Sequence, residues 1–224
     1  MINEGTAWAI MLAPFGAFVL IALVIRPFFN QYSKVSGYVA IAAIALSLGL
    51  SLLALRTVIE EGGIVGWESH SWLNVGNLDI GFGIIMDPLT AVMVVIVSGV
   101  SLLVQIYSQG YMRGDPGYSR YFAFMALFTA SMLGLVLSRN ILQLYVFWEL
   151  VGMCSYLLIG FWYHRPAAAI AAKKAFLVTR LGDLGLLLAI LYLFFHQNSF
   201  DASGLNPLEI PDILSSDGIA LLGV

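Results

Sequence analysis

The chain has 224 residues, of which 60% are hydrophobic and only 10% charged, with a mean hydropathy of +0.92. Soluble domains carry roughly 25% charged residues, so a water-soluble domain is excluded and an integral membrane protein is indicated. The net charge of −3 says little, because in a membrane protein the placement of Lys and Arg outweighs their sum.

A spanning helix needs about 20 mainly apolar residues. Six stretches qualify: 7–26, 36–57, 88–108, 120–138, 140–162 and 170–195. The opening "MINEGTAW" has no basic n-region, so the first stretch is expected to remain as a span rather than be removed as a signal peptide. The loop 58–87 is too long to be structureless by default. Within it, "SWLNV" and "LDIGFGIIM" flank Gly76-Asn77, which predicts a short β-hairpin. "MDPLT" predicts a helix start, with Asp87 as cap and Pro88 in the first turn. Trp67, Trp72, Tyr107, Tyr111, Trp162 and Tyr163 fall near predicted interfaces, where amphipathic rings anchor. The lone cysteine, Cys154, rules out an internal disulfide and a cysteine-rich metal site, and its apolar neighbours mark it as a packing residue. A seventh apolar run begins at "GIALLGV", so the sequence reads as the N-terminal part of a longer protein.

Alternating the loops between two sides collects Arg26, Lys34, Arg113, Arg120, Arg165, Lys173 and Lys174 on one side. Only Arg56 and Arg139 fall on the other, which also takes most of the acids. The first side is therefore expected to be cytoplasmic, with the N-terminus and the hairpin outside.

Three ionisable residues are left within the spans: Glu149, Arg180 and Asp183. Glu149 lies nine residues past Asn140, about 14 Å along a helix and so near the midplane of a hydrocarbon core about 30 Å thick. A charge there costs about 2.5–3.5 kcal/mol to insert, and an intramembrane ionisable residue is a functional hypothesis by default. Arg180 and Asp183, three residues apart, share a helix face and can pair, either as a structural ion pair or as part of a relay. Lys173, seven residues before Arg180, lies on roughly the same face, and the two could line a proton entry path; Lys173 and Lys174 could equally be interface anchors. No base lies three or four positions from Glu149. Tyr145 and Ser155 are its nearest candidate donors, and a cation on another helix would hold it charged. It is either a proton-loading acid or a neutral packing residue. His70, His164 and His196 are too dispersed for a metal site, and neither a nucleotide-binding glycine loop nor an iron–sulfur cysteine pattern is present.

The strings "YMRGDPGYSRYFAFMALFTASMLGLVLSRNILQLYVFWELVGMCSYLLIGFWYHRP", "KKAFLVTRLGD" and "LDIGFGIIMDPLT" closely resemble the antiporter-like subunit L (subunit 5, or F) of respiratory complex I. The resemblance implies an all-α membrane fold, here six transmembrane helices plus the start of a seventh with a short outer β-hairpin, forming the N-terminal part of an inverted-repeat channel. It divides the chain into a membrane region at 1–119 and the start of a proton-translocating domain at 120–224. It also implies that Glu149, Arg180, Asp183 and Lys174 carry protons, with Glu149 paired to a lysine on a seventh helix. NADH, FMN, iron–sulfur clusters and quinone would be handled by partner subunits, leaving no cofactor on this chain. The expected partners are other membrane subunits of complex I, the lipid bilayer and protons, with no nucleic acid, in a bacterial plasma membrane. The same family includes the large subunit of multisubunit sodium/proton antiporters and bicarbonate-concentrating systems. A non-translocating docking scaffold and an independent secondary transporter are the competing classes.

Overall fold

The computed structural model describes residues 3–28, 33–61, 65–67, 70–75, 78–195, 200, 203 and 205–221. Six helices among them are long and apolar enough to cross a membrane, one for each expected span. The first is irregular: α1 (Glu4–Leu20) passes through a π-helical segment, Ile21–Ile25, into α2 (Arg26–Phe28). The others are α3 (Ser33–Glu61), α4 (Pro88–Tyr111), α5 (Tyr118–Leu137), α6 (Ile141–Ile159) and α7 (Pro166–Phe195).

α3 and α7 run past the apolar stretches that announce them. α3 continues through an exposed pair at its end, Arg56 Nε to Glu60 Oε1 at 2.7 Å. α7 starts at Pro166, whose fixed φ suits a first helical turn, and the alanine-rich run after it propagates the helix. Apolar length marks the part of a helix that lipid surrounds, not its caps.

The 58–87 loop contains two antiparallel ribbons. β2 (His70–Val75) pairs with β3 (Leu78–Phe82), from Val75 opposite Leu78 to His70 opposite Phe82, with an irregularity between Ser71 and Leu73. The expected hairpin is therefore present, while its turn residues, Gly76 and Asn77, lie outside the described residues. β1 (Val65–Gly66) pairs with β4 (Ile85–Met86). His70 Nε2 lies 2.8 Å from Glu4 Oε1, and Phe82 stacks on Trp8 at 5.4 Å, so the hairpin rests on the start of α1. α4 begins as expected: Asp87 accepts a hydrogen bond from Thr90 N at 2.6 Å, next to Pro88.

α1, α3, α4 and α5 pack into a bundle; α6 lies against α5, and α7 against α6. One core, under the hairpin, includes Ile10, Val58, Ile84, Met86, Val94 and Leu133. Trp67 packs against it, so this ring is part of the fold rather than a free interface anchor. A second core at the opposite end gathers Ile25, Met112, Tyr118, Phe122 and Phe161. Cys154 is fully buried, as its apolar neighbours imply.

The N-terminal end of α6 is held by a polar clasp. Arg139 Nε donates to Glu209 Oε2 and Arg139 Nη1 to the Trp67 carbonyl, both at 2.6 Å. Gln143 Oε1 accepts from Gly83 N at 3.1 Å, and Ile210 N donates to Arg139 O at 2.9 Å. The short helices α8 (Ile210–Ile213) and α9 (Ser216–Leu221) follow, and the seventh apolar run enters α9.

α5 and α6 meet closely at Gly134, where a Cβ would lie 2.5 Å from the Phe147 ring. Overpacking of this kind costs about 1–3 kcal/mol. Gly134→Ala is expected to lower the thermal midpoint of the full-length protein in detergent. Adding Phe147→Leu should recover most of the loss, because it removes the atoms that clash.

Candidate functional site: a charged cluster between α6 and α7

α6 carries Glu149 halfway along its length, and α7 carries Arg180 and Asp183 halfway along its own. Where these two helices pack, the Arg180 guanidinium forms an ion pair with the Glu149 carboxylate. Arg180 Nη1 also reaches Asp183 Oδ2 at 3.3 Å, and Nη2 donates to the Glu149 backbone carbonyl at 3.0 Å. One cation thus bridges two acids across two helices. The Glu149, Arg180 and Asp183 side chains are 29%, 23% and 11% exposed, so the cluster is largely out of solvent even within this chain.

Three residues that the sequence reading passed over complete the geometry. Trp148 Nε1 donates to Asp183 Oδ1 at 2.7 Å. A tryptophan at mid-span, far from the interfaces such rings prefer, needs a partner for its N–H, and that depth was the available signal. Gly152, one turn past Glu149, lies beside the guanidinium: a Cβ there would stand in ordinary contact, 3.4 Å from Arg180 Nη2. Phe176, one turn before Arg180, offers its ring face at 4.7 Å from the guanidinium carbon and packs on Tyr156 at 5.4 Å.

Other expectations are redirected. The cation that holds Glu149 is Arg180 on the neighbouring helix; Tyr145 packs instead beside Ile190 and Leu208, and Ser155 gives its hydroxyl to the Val151 carbonyl at 3.0 Å. Arg180 and Asp183 pair as their spacing implies. Lys174 is exposed on α7, six residues before Arg180 and so on a different side of the helix, and among the described residues no ion pair joins it to the cluster. Lys173 lies on the cluster's side. It lines cavities of about 370 Å³ with Tyr156 and Phe176, and of about 230 Å³ with Arg120 and Tyr156. A groove of about 600 Å³ between α5, α6 and α7 opens onto Trp148, Ser155, Thr179 and Asp183. The seam from Lys173 to Asp183 is thus mainly apolar, lined by Phe176, Leu177, Val151 and Leu186, with Ser155 and Thr179 as scattered polar groups along it.

With both acids ionised the cluster carries one net negative charge, and a single proton neutralises it. Asp183 is held by Arg180 and by the indole of Trp148, whereas the ion-pair partner of Glu149 among the described residues is Arg180 alone.

Residues 72–122 match the family model described as NADH-ubiquinone oxidoreductase (complex I), chain 5 N-terminus. Residues 138–218 match the model described as NADH:quinone oxidoreductase/Mrp antiporter, TM, which spans the whole charged cluster. The chain belongs to this antiporter-like membrane subunit family. It is 45% identical over 204 residues to the chloroplastic NAD(P)H-quinone oxidoreductase subunit 5 of Anthoceros angustus, covering 89% of this chain and 28% of the relative. It is 47% identical over 200 residues to NAD(P)H-quinone oxidoreductase chain 5 of Synechocystis sp., covering 87% and 29%. The chain thus spans less than a third of the length of these relatives. The solved Mrp complex from Dietzia sp. shares the fold with a TM-score of 0.68 and 28% identity, over 84% of this chain and 19% of the matched one. Family membership and six spans agree with the sequence-based assignment, and with a helical membrane fold carrying a small hairpin.

Because a hydrogen bond to a charged group contributes about 1.5–3 kcal/mol, Trp148→Phe is expected to destabilise the full-length protein by that amount. A double-mutant cycle with Asp183→Asn, read by thermal unfolding, should show strong coupling. Additive effects would mean that the indole and the carboxylate do not interact.

Proposed function

We propose that the chain is part of a proton-translocating membrane subunit of an NADH- or NAD(P)H-quinone oxidoreductase, a translocase whose electron transfer takes place on other subunits. The observation that carries this reading is one guanidinium shared by two carboxylates halfway along two membrane-length helices, beside a groove that Ser155, Thr179 and Asp183 line. In this reading Glu149 takes the proton, because it has fewer donors than Asp183. Arg180 swings its pairing towards Asp183 when Glu149 is neutral, and Asp183 keeps the arginine in place. Lys174, or Lys173 along the seam, relays protons from the side where the basic loops gather. NADH, FMN, iron–sulfur clusters and quinone belong to partner subunits. The partners are the other membrane subunits, lipid and protons. The membrane is a bacterial plasma membrane with the N-terminus outside; the relatives named from chloroplasts and a cyanobacterium support an energy-converting membrane more broadly.

A second reading, the large subunit of a multisubunit sodium/proton antiporter, is favoured by the shared transmembrane model and the Mrp structure. Both readings use the same cluster and differ in what drives it.

Vesicles containing the full-length protein in its complex distinguish them. With NADH and a quinone added, Glu149→Gln is expected to reduce proton translocation at least tenfold in an assembled complex, since Arg180 keeps its pairing with Asp183. Pumping at the normal proton-to-electron ratio in that variant would refute the role of Glu149. Proton movement that needs a sodium gradient and ignores NADH would identify the antiporter.

A further inference from the structure

Far from the charged cluster, three helix ends converge on a cavity of about 330 Å³ lined by Arg26, Gly117, Ser119, Arg120, Tyr163 and His164. Arg26 follows directly on the π-helical segment at the end of the first span. Arg120 lies in the first turn of α5, and His164 in the link from α6 to α7.

The cations here are not used up by the fold. Among the described residues, Arg26 has no ion-pair partner. Arg120 is positioned rather than neutralised: Nη2 donates to the Phe161 carbonyl at 3.0 Å, and its guanidinium carbon stands 4.7 Å from the Phe161 ring centre and 5.3 Å from that of Tyr163. Its Nε is buried without a protein partner among the described residues. Asp115, the nearby acid, is committed elsewhere: Oδ1 accepts from Gly117 N at 2.7 Å and Oδ2 from Trp162 Nε1 at 3.0 Å. α5 has no side-chain cap and its Tyr118 N already donates to the Asp115 carbonyl at 3.1 Å, so the positive charge of the cavity comes from Arg26 and Arg120. A neighbouring cavity of about 540 Å³, lined by Lys34 and Arg113 together with Asp115, extends the basic rim.

The location selects among anions. Leu23 and Phe28 flank Arg26 at 64% and 76% exposure, and Leu20 and Val24 are also exposed, so an apolar face of the first span leads up to the cavity. A basic pocket between transmembrane helix ends, at the top of a lipid-facing stripe, suits a headgroup whose acyl chains lie below it. We propose that this cavity binds the phosphate of an anionic phospholipid through Arg26 and Arg120, with its acyl chains along Leu20, Leu23 and Val24.

Photoreactive phosphatidylglycerol, applied to the full-length protein in its complex and mapped by mass spectrometry, tests this. Labelling is expected in residues 20–28 and 116–120, with competition by phosphatidylglycerol but not by phosphatidylcholine. Arg26→Gln should weaken competition by unlabelled phosphatidylglycerol about fivefold, the effect of one basic residue beside an anionic headgroup. Among the described residues Arg26 makes no ion pair, and Arg165→Gln, which alters a residue stacked on Trp162 outside the cavity, should leave labelling unchanged. Equal competition by phosphatidylcholine, or no change in Arg26→Gln, would overturn the proposal. Displacement by millimolar inorganic phosphate would overturn it in favour of a free-phosphate site.

Discussion

A guanidinium carried into the hydrocarbon must bring its counter-charges with it, and in this protein one arginine meets that constraint for two acids. Insertion of each charge alone costs about 2.5–3.5 kcal/mol, and an unpaired buried charge is far more damaging than a paired one. Much of the α6–α7 interface follows from this. The helices must approach closely enough for Arg180 to touch both the carboxylate and the backbone carbonyl of Glu149. Phe176 covers one side of the guanidinium, and Trp148 supplies a further donor to Asp183.

The rest of the chain divides into a closed part and an open part. α5 is the best-buried span, with 61% of its apolar window inside the protein, against 11% for α6 and 17% for α7. α5 therefore acts as the wall between a packed bundle, which holds ordinary apolar cores, and the two helices that carry charge. α6 and α7 leave apolar side chains such as Val146, Leu181 and Leu188 exposed beside the cluster.

The sequence showed well what depends on one segment at a time. Span number, the Asp87–Pro88 helix start, the hairpin and the Arg180–Asp183 pair all rest on local spacing, and all are present. The Glu149–Arg180 contact was not legible from spacing. α6 and α7 are apolar nearly all round, so no polar stripe shows which sides face each other, and packing decides it. Trp148 was hidden for the same reason. The π-helical segment Ile21–Ile25 lies in a uniformly aliphatic run with no residue to mark the extra turn. Lys174, taken from the family pattern, and Lys173, taken from helical spacing, are both exposed but differ by one position and about 100° of rotation, and of the two it is Lys173 that lines the cavities along the seam.

The Arg139 clasp also orders events in time. Its members come from positions 67, 139 and 209, so it joins parts of the chain made far apart. At about 5–20 residues per second, the ribosome needs roughly 4–14 s to go from Arg139 to Glu209. Both α6 and α7 are synthesised within that interval. The Arg139–Glu209 contact can therefore close only after every residue of the charged cluster has been made.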